Sequence, residues 1–149
     1  MDNQNAGIKP TIDLLEKLIS FETVSLQSNL ELLDFIKNYL NSFGVDCQFI
    51  YNEDKTRANL LACIGPENSS NPGIIMSGHT DVVPTTGQPW TKPDFQMTQE
   101  NGRLYGRGTA DMKGFIAAVL GAVPYWTKLD LQRPIYLAFS YDEEVGCLG

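Results

Sequence analysis

Histidine is almost missing from this chain: His79 is the only one in 149 residues. Cysteine is nearly as scarce, with Cys47, Cys63 and Cys147 and no C-x-x-C pair, which argues against a zinc ribbon or a disulfide framework. No run of about 18 apolar residues occurs, so no helix is expected to span a membrane. The opening segment, Met1 to Asn5, has neither a basic start nor an apolar run. That excludes a standard secretory signal there and makes reduced, cytoplasmic thiols the expectation. Basic residues are outnumbered, 11 against 18 acidic, for a net charge of −7. A nucleic-acid backbone is therefore a poor partner, while a hard cation is a good one. The sequence also lacks G-x-S-x-G and G-x-x-x-x-G-K-[ST]. Gly106 and Gly108 begin a G-x-G-x-x-G pattern, but Asp111 stands where the third glycine belongs, so dinucleotide binding fails.

What is present suffices for one domain with a real core, since 42% of residues are hydrophobic and 19% charged. Residues 1–10 read as a loose leader. Thr11 to Ser20 has helical spacing of apolar residues. Ser28-Asn29-Leu30-Glu31 fits a capping box opening a second helix that runs to Phe43 and stops at Gly44. Val45–Tyr51 and Asn59–Ile64 read as strands, and 66–72 as a loop. Gly73 to Met76 is a short apolar run expected to form a strand buried on both faces. Asn101-Gly102 between Phe95–Glu100 and Arg103–Tyr105 signals a hairpin. Lys113 to Trp126 is apolar almost all round and predicts a buried helix, weakened near its end by Gly121 and Pro124. Ile135 to Phe139 is a last strand. The alternation predicts an α/β fold, a mixed sheet flanked by helices, with polar clusters just after apolar strands.

Three such clusters carry the candidate chemistry. His79-Thr80-Asp81 follows the strand ending at Met76. A ligating imidazole usually gives its other N–H to a carboxylate or carbonyl, a part open to Asp81. Gly106 to Gly114 places Asp111 just before the third helix. Asp142-Glu143-Glu144 follows the last strand, and two adjacent glutamates can divide labour, one holding a cation and one moving protons. Each has a plain structural alternative: a packed imidazole, an N-cap aspartate, a solvated acidic loop. Together they form a donor set suited to zinc, cobalt or manganese. Two-carboxylate glycosidase chemistry would leave His79 and the glycine-rich segment unexplained.

Ser77-Gly78-His79-Thr80-Asp81-Val82-Val83-Pro84, then Gly106 to Gly114, then Asp142-Glu143-Glu144-Val145-Gly146 resemble the metal-binding motifs of the M20 metallopeptidase family. Order agrees, and so does spacing, with 32 residues from His79 to Asp111 and 32 more to Glu143. Leu104 to Phe115, Phe139 to Gly149 and Trp90 resemble in particular the branch that deacetylates amino acids. The resemblance implies a zinc-peptidase-like catalytic domain holding two zinc ions, with cobalt possible. It implies that His79 binds one metal, Glu144 the other, and Asp111 bridges them. Asp81 would orient His79, and Glu143 would be the general base. The implied reaction converts N-acetyl-L-ornithine and water to L-ornithine and acetate, on the way to arginine.

Alternatives within the family are succinyl-diaminopimelate desuccinylase and other acylamino-acid hydrolases or dipeptidases. An alternative outside it is a binding remnant without catalysis. Family members also carry a further acidic ligand, a late histidine and a lid domain that makes dimers. Residues 1–149 are therefore expected to be the N-terminal portion of a truncated catalytic domain, homodimeric only at full length. Such a piece is expected to be inactive alone, to bind zinc weakly or not at all, and to expose an apolar sheet edge.

Overall fold

The computed structural model describes residues 5–67 and 70–149. Its elements, in chain order, are α1 (Asn5–Ile19), α2 (Leu30–Asn41), β1 (Cys47–Tyr51), β2 (Ala58–Ile64), β3 (Ile74–His79), β4 (Thr98–Glu100), β5 (Arg103–Tyr105), α3 (Lys113–Trp126) and β6 (Ile135–Ser140). The main sheet has the order β1-β2-β6-β3. β2 pairs antiparallel with β1 and with β6, while β3 runs parallel to β6. The expected α/β class with a mixed sheet is observed. Among the described residues, no helix is long and apolar enough to cross a membrane.

Alternation along the strands decides which face is covered. Leu60, Ala62 and Ile64 of β2 and Leu137 and Phe139 of β6 are buried, and they join Leu18, Leu33, Ile36, Ile116 and Leu120 of the three helices in one core. Each fully buried aliphatic side chain of this kind contributes roughly 1.5–3 kcal/mol. Residues of opposite parity point the other way, and Ile50, Leu61 and Ile75 there are exposed. The helices thus cover one face of the sheet among the described residues, not both.

Several expectations are corrected. The leader read over 1–10 is helical from Asn5, residues 1–4 lying outside the described chain. Pro10 lies inside the helix, in its second turn, and forfeits one i to i−4 bond there. The capping box does not form, since Asn29 is the N-cap and makes no side-chain capping bond. Its amide is used elsewhere: Nδ2 donates to the Ala58 carbonyl and to Thr80 Oγ1, both at 2.9 Å, and Oδ1 accepts the Ala58 N–H. The β3 run is not buried on both faces. Ile75 points to the uncovered face and Ile74 lies on an edge strand that pairs with β6 alone; they are 64% and 58% exposed. Helix α3 keeps Phe115 and Tyr125 exposed, so it buries one face, and Pro124 lies inside it. The hairpin forms as expected, with Asn101 and Gly102 both at positive φ, as a two-residue turn requires.

Two buried features hold α3 in place. A Cβ on Gly114 would lie 2.2 Å from the Thr109 carbonyl oxygen, so only glycine lets the helix start pack on the preceding loop. Lys113 is fully buried and its Nζ donates to the Phe21 carbonyl at 2.6 Å. Burial pushes its ammonium down to about 7, against the opposing pull of the Asp81 charge.

Two tests follow from this packing. Gly114→Ala should destabilise by about 1–3 kcal/mol in urea unfolding, because overpacking against backbone outweighs the helix propensity gained. For Lys113, the folded state holds a neutral amine above pH 7 while the unfolded chain stays protonated, so folding releases a proton and stability rises with pH. The unfolding free energy of wild type relative to Lys113→Met should therefore increase from pH 7 to 9, and a flat difference would show that the amine is not neutralised.

Candidate metal centre

Parallel pairing brings two of the three sequence clusters together. β3 and β6 end side by side, with His79 opposite Ser140, and Thr80 donates both its N–H and its hydroxyl to the Ser140 carbonyl at 2.8 Å. The chain leaving β3 carries Asp81, and the chain leaving β6 carries Glu143 and Glu144. The third cluster arrives from the loop between β5 and α3, where the Asp111–Met112 peptide is cis. Single donor atoms of His79, Asp111 and Glu144 lie within 4.8 Å of one another.

His79 is buried and sits between two acceptors. Nδ1 is 2.9 Å from the Asp81 carbonyl oxygen, which can only accept, so Nδ1 carries a proton there. Nε2 is 3.0 Å from Asp111 Oδ1. Burial alone would lower the imidazole's affinity for protons. The Asp81 carbonyl, the Asp111 hydrogen bond and the charges of both aspartates outweigh it, and the net shift is upward. The Asp81 carboxylate stands at 3.4 Å from Nδ1, so the direct bond to His79 runs through its main chain.

That carboxylate is occupied elsewhere. Asp81, 2% exposed, accepts the Glu143 N–H on Oδ1 at 3.0 Å. Its Oδ2 accepts the Ser25 hydroxyl at 2.7 Å and the Glu144 N–H at 3.3 Å. Glu143 points its own carboxylate toward the same space, Oε2 lying 3.8 Å from His79 Nε2. Glu144 is pushed up by burial first, then by the charge of Asp111 and, against the pull of His79, by Glu143 and Asp81.

Four carboxylates and one imidazole thus converge, and the excess negative charge is what a divalent cation would neutralise. One nitrogen and two oxygen donors, with His79 Nε2 directed at the gap, fit a cation such as zinc. Trp90 and Arg107, apart in sequence, come together: the guanidinium lies 5.0 Å from the indole ring centre, and both donate to Gln88 Oε1. A cleft of about 850 Å³ lies nearby, lined by Phe21, Glu22, Gln27, Glu31, Thr85 and Asp94 among others, but by none of the five candidate residues.

Residues 75–149 match the model of peptidase family M20/M25/M40. The chain belongs to this family. It is 34% identical over 152 residues to the acetylornithine deacetylase of Proteus mirabilis, a match covering 97% of this chain and 38% of that protein. Human carnosine dipeptidase 1 shares the fold with a TM-score of 0.83 at 22% identity, over 97% of this chain and 34% of its own. The Bacillus subtilis YXEP protein, described as a dinuclear metal binding peptidase from the M20 family, does so at 0.68 and 18%, over 95% and 37%. This M20 chain therefore spans well under half the length of the relatives it matches.

Sequence reasoning missed the residues that brace the candidate site from afar: Ser25 on Asp81, Asn29 on Thr80, and Arg57 on Asp142. Their partners are 56, 51 and 85 residues away, and no local pattern marks such pairs. The three cysteines are free, as expected.

Zinc added to this chain should bind weakly at one site, and His79→Ala should abolish binding in isothermal titration calorimetry. A cation competes with protons for His79 and Glu144, whose proton affinities are both shifted upward. Affinity should therefore fall as pH drops from 8 to 6, and a pH-independent affinity would place the ion elsewhere.

Proposed function

We propose that this chain is the N-terminal portion of a metal-dependent amide hydrolase that removes the acyl group from an N-acylated amino acid. The observation that carries the reading is the triangle of His79, Asp111 and Glu144 donors, with Glu143 beside it and outside the set. In this reading His79 and Glu144 would each hold a metal and Asp111 would be shared between them, with zinc or cobalt as the cation. The cations, when bound, polarise the amide carbonyl and lower the pKa of the attacking water.

This chain's residues supply the rest. Asp81 keeps His79 in one tautomer through its carbonyl and holds the Glu143 and Glu144 amides through its carboxylate. Glu143, 46% exposed at its side chain, stays free of the triangle. It takes the proton from water and passes it to the departing amine, a task for a carboxylate within reach of both.

The substrate proposed is N-acetyl-L-ornithine, giving L-ornithine and acetate, a step toward arginine. It is supported by the similarity to acetylornithine deacetylase along nearly the whole chain. A cytoplasmic location and a homodimer at full length belong to the same proposal, as does inactivity of residues 1–149 alone.

The test uses the complete coding frame, loaded with zinc or cobalt. N-acetyl-L-ornithine should be hydrolysed, and Glu143→Gln should lower kcat by about 10²–10⁴-fold with metal content kept. Turnover of N-succinyl-diaminopimelate alone would move the substrate within the family. No hydrolysis of any acylated amino acid by the loaded protein would leave a binding remnant.

A further inference from the structure

Asp142 has no task in the mechanism above, yet it is among the most constrained residues of the chain. It directly precedes Glu143, is 1% exposed, and has φ +52°. Asp enters the left-handed region more readily than most residues with a side chain, but there it still depends on the surroundings that hold it.

Three segments do so. Oδ1 accepts the Leu26 N–H at 2.7 Å, from the same loop that sends Ser25 to Asp81. Oδ2 pairs with Nη1 of Arg57. Arg57 stands just before β2, where Asn52 receives its N–H at 2.9 Å and donates back to its carbonyl, and its guanidinium lies 5.6 Å from the Tyr141 ring centre. The loop also closes on itself, since Leu148 donates to the Asp142 carbonyl and Cys147 to that of Glu143. Removing one partner of a buried pair strands the other charge, and Arg57 Nε is already buried without an acceptor.

The next residue's direction depends on this clamp. The φ of residue 142 aims the chain so that the Glu143 N–H meets Asp81 Oδ1 and its carboxylate faces His79. We propose that Asp142, clamped by Arg57 and the Leu26 amide, is a positioning residue that sets the direction of the Glu143 carboxylate without touching substrate. The proposal rests on Glu143 being the proton carrier.

The experiment uses the complete, metal-loaded protein. Asp142→Asn keeps the shape and an acceptor for Leu26 but removes the charge facing Arg57. It should lower kcat about 10–100-fold, as small misplacements of a reacting group do, while KM and metal content stay within about twofold. In a Glu143→Gln background the same change should cost nothing further in kcat, because the group it aims no longer carries a proton. Arg57→Gln should behave like Asp142→Asn, and Arg57→Lys should restore most of the rate. Equal losses in both backgrounds, or loss of metal in step with kcat, would reduce the clamp to a structural brace and overturn the proposal. If the wild type hydrolyses no acylated amino acid, the functional reading fails separately. The direction of the Glu143 carboxylate in a crystal structure of Asp142→Asn then decides the positioning: a carboxylate turned away from His79 with the loop otherwise in place supports it, and an unmoved carboxylate sinks it.

Discussion

The buried carboxylate of Asp81 ties the acidic loop after β6 to the segment after α1. It accepts two main-chain N–H groups from the acidic loop and one hydroxyl from the segment after α1. The same residue's carbonyl meets the imidazole of His79. A carboxylate taken out of water needs such partners, because its desolvation is otherwise prohibitive. Here the partners are the backbone of the residues that carry the proposed chemistry. The requirement to satisfy one charge therefore becomes a requirement on where Glu143 and Glu144 lie. An ordinary need for hydrogen bonds does the work of alignment.

The sheet makes that arrangement reachable. Parallel β3 and β6 must end at the same side, so two strand ends deliver one imidazole and two glutamates to one place. Such ends are where ligands collect in α/β sheets. Helix α3 is pressed close by Gly114 and by Lys113 reaching Phe21, so the loop before it presents Asp111 to the same point. Core packing on the helical face fixes these elements, and the site inherits their rigidity. The opposite sheet face contributes nothing to the site and leaves Leu61 and Ile75 in solvent.

Electrostatics gives the site its character. Asp81, Asp111, Glu143 and Glu144 surround a single imidazole; the Asp81 carbonyl and the two aspartates raise the proton affinity of His79 against burial, while burial first and then the acidic neighbours raise that of Glu144. That concentration of negative charge beside one imidazole suits a cation, and it agrees with membership of a metallopeptidase family. Family membership rests on the sequence match. Which acyl group is cleaved is a finer matter, carried by similarity along the part of the relatives that this chain spans.

Much of this was legible in the order of residues alone. Hydrophobic spacing marked α2, α3, β2 and β6, because periodicity is a local consequence of backbone geometry. Asn101-Gly102 announced its hairpin for the same reason. His79, Asp81, Asp111, Glu143 and Glu144 stood out because scarce chemistry-bearing residues fell just after apolar strands. Local reading failed where long-range demand overrode local preference. The capping box expected of Ser28 and Glu31 gave way to Asn29 as N-cap, its amide bonded to Ala58 and Thr80, and β3 proved an edge strand although its composition suggested a covered one. Composition cannot say which strands lie beside a given strand. Only the tertiary structure decided that Asp81 would serve the acidic loop with its side chain and His79 with its main chain. Only it paired Arg57 with Asp142 across 85 residues. Sequence reports which groups exist and what local shape they favour. Folding decides which buried charge finds which partner, because that is settled by distances no local pattern contains.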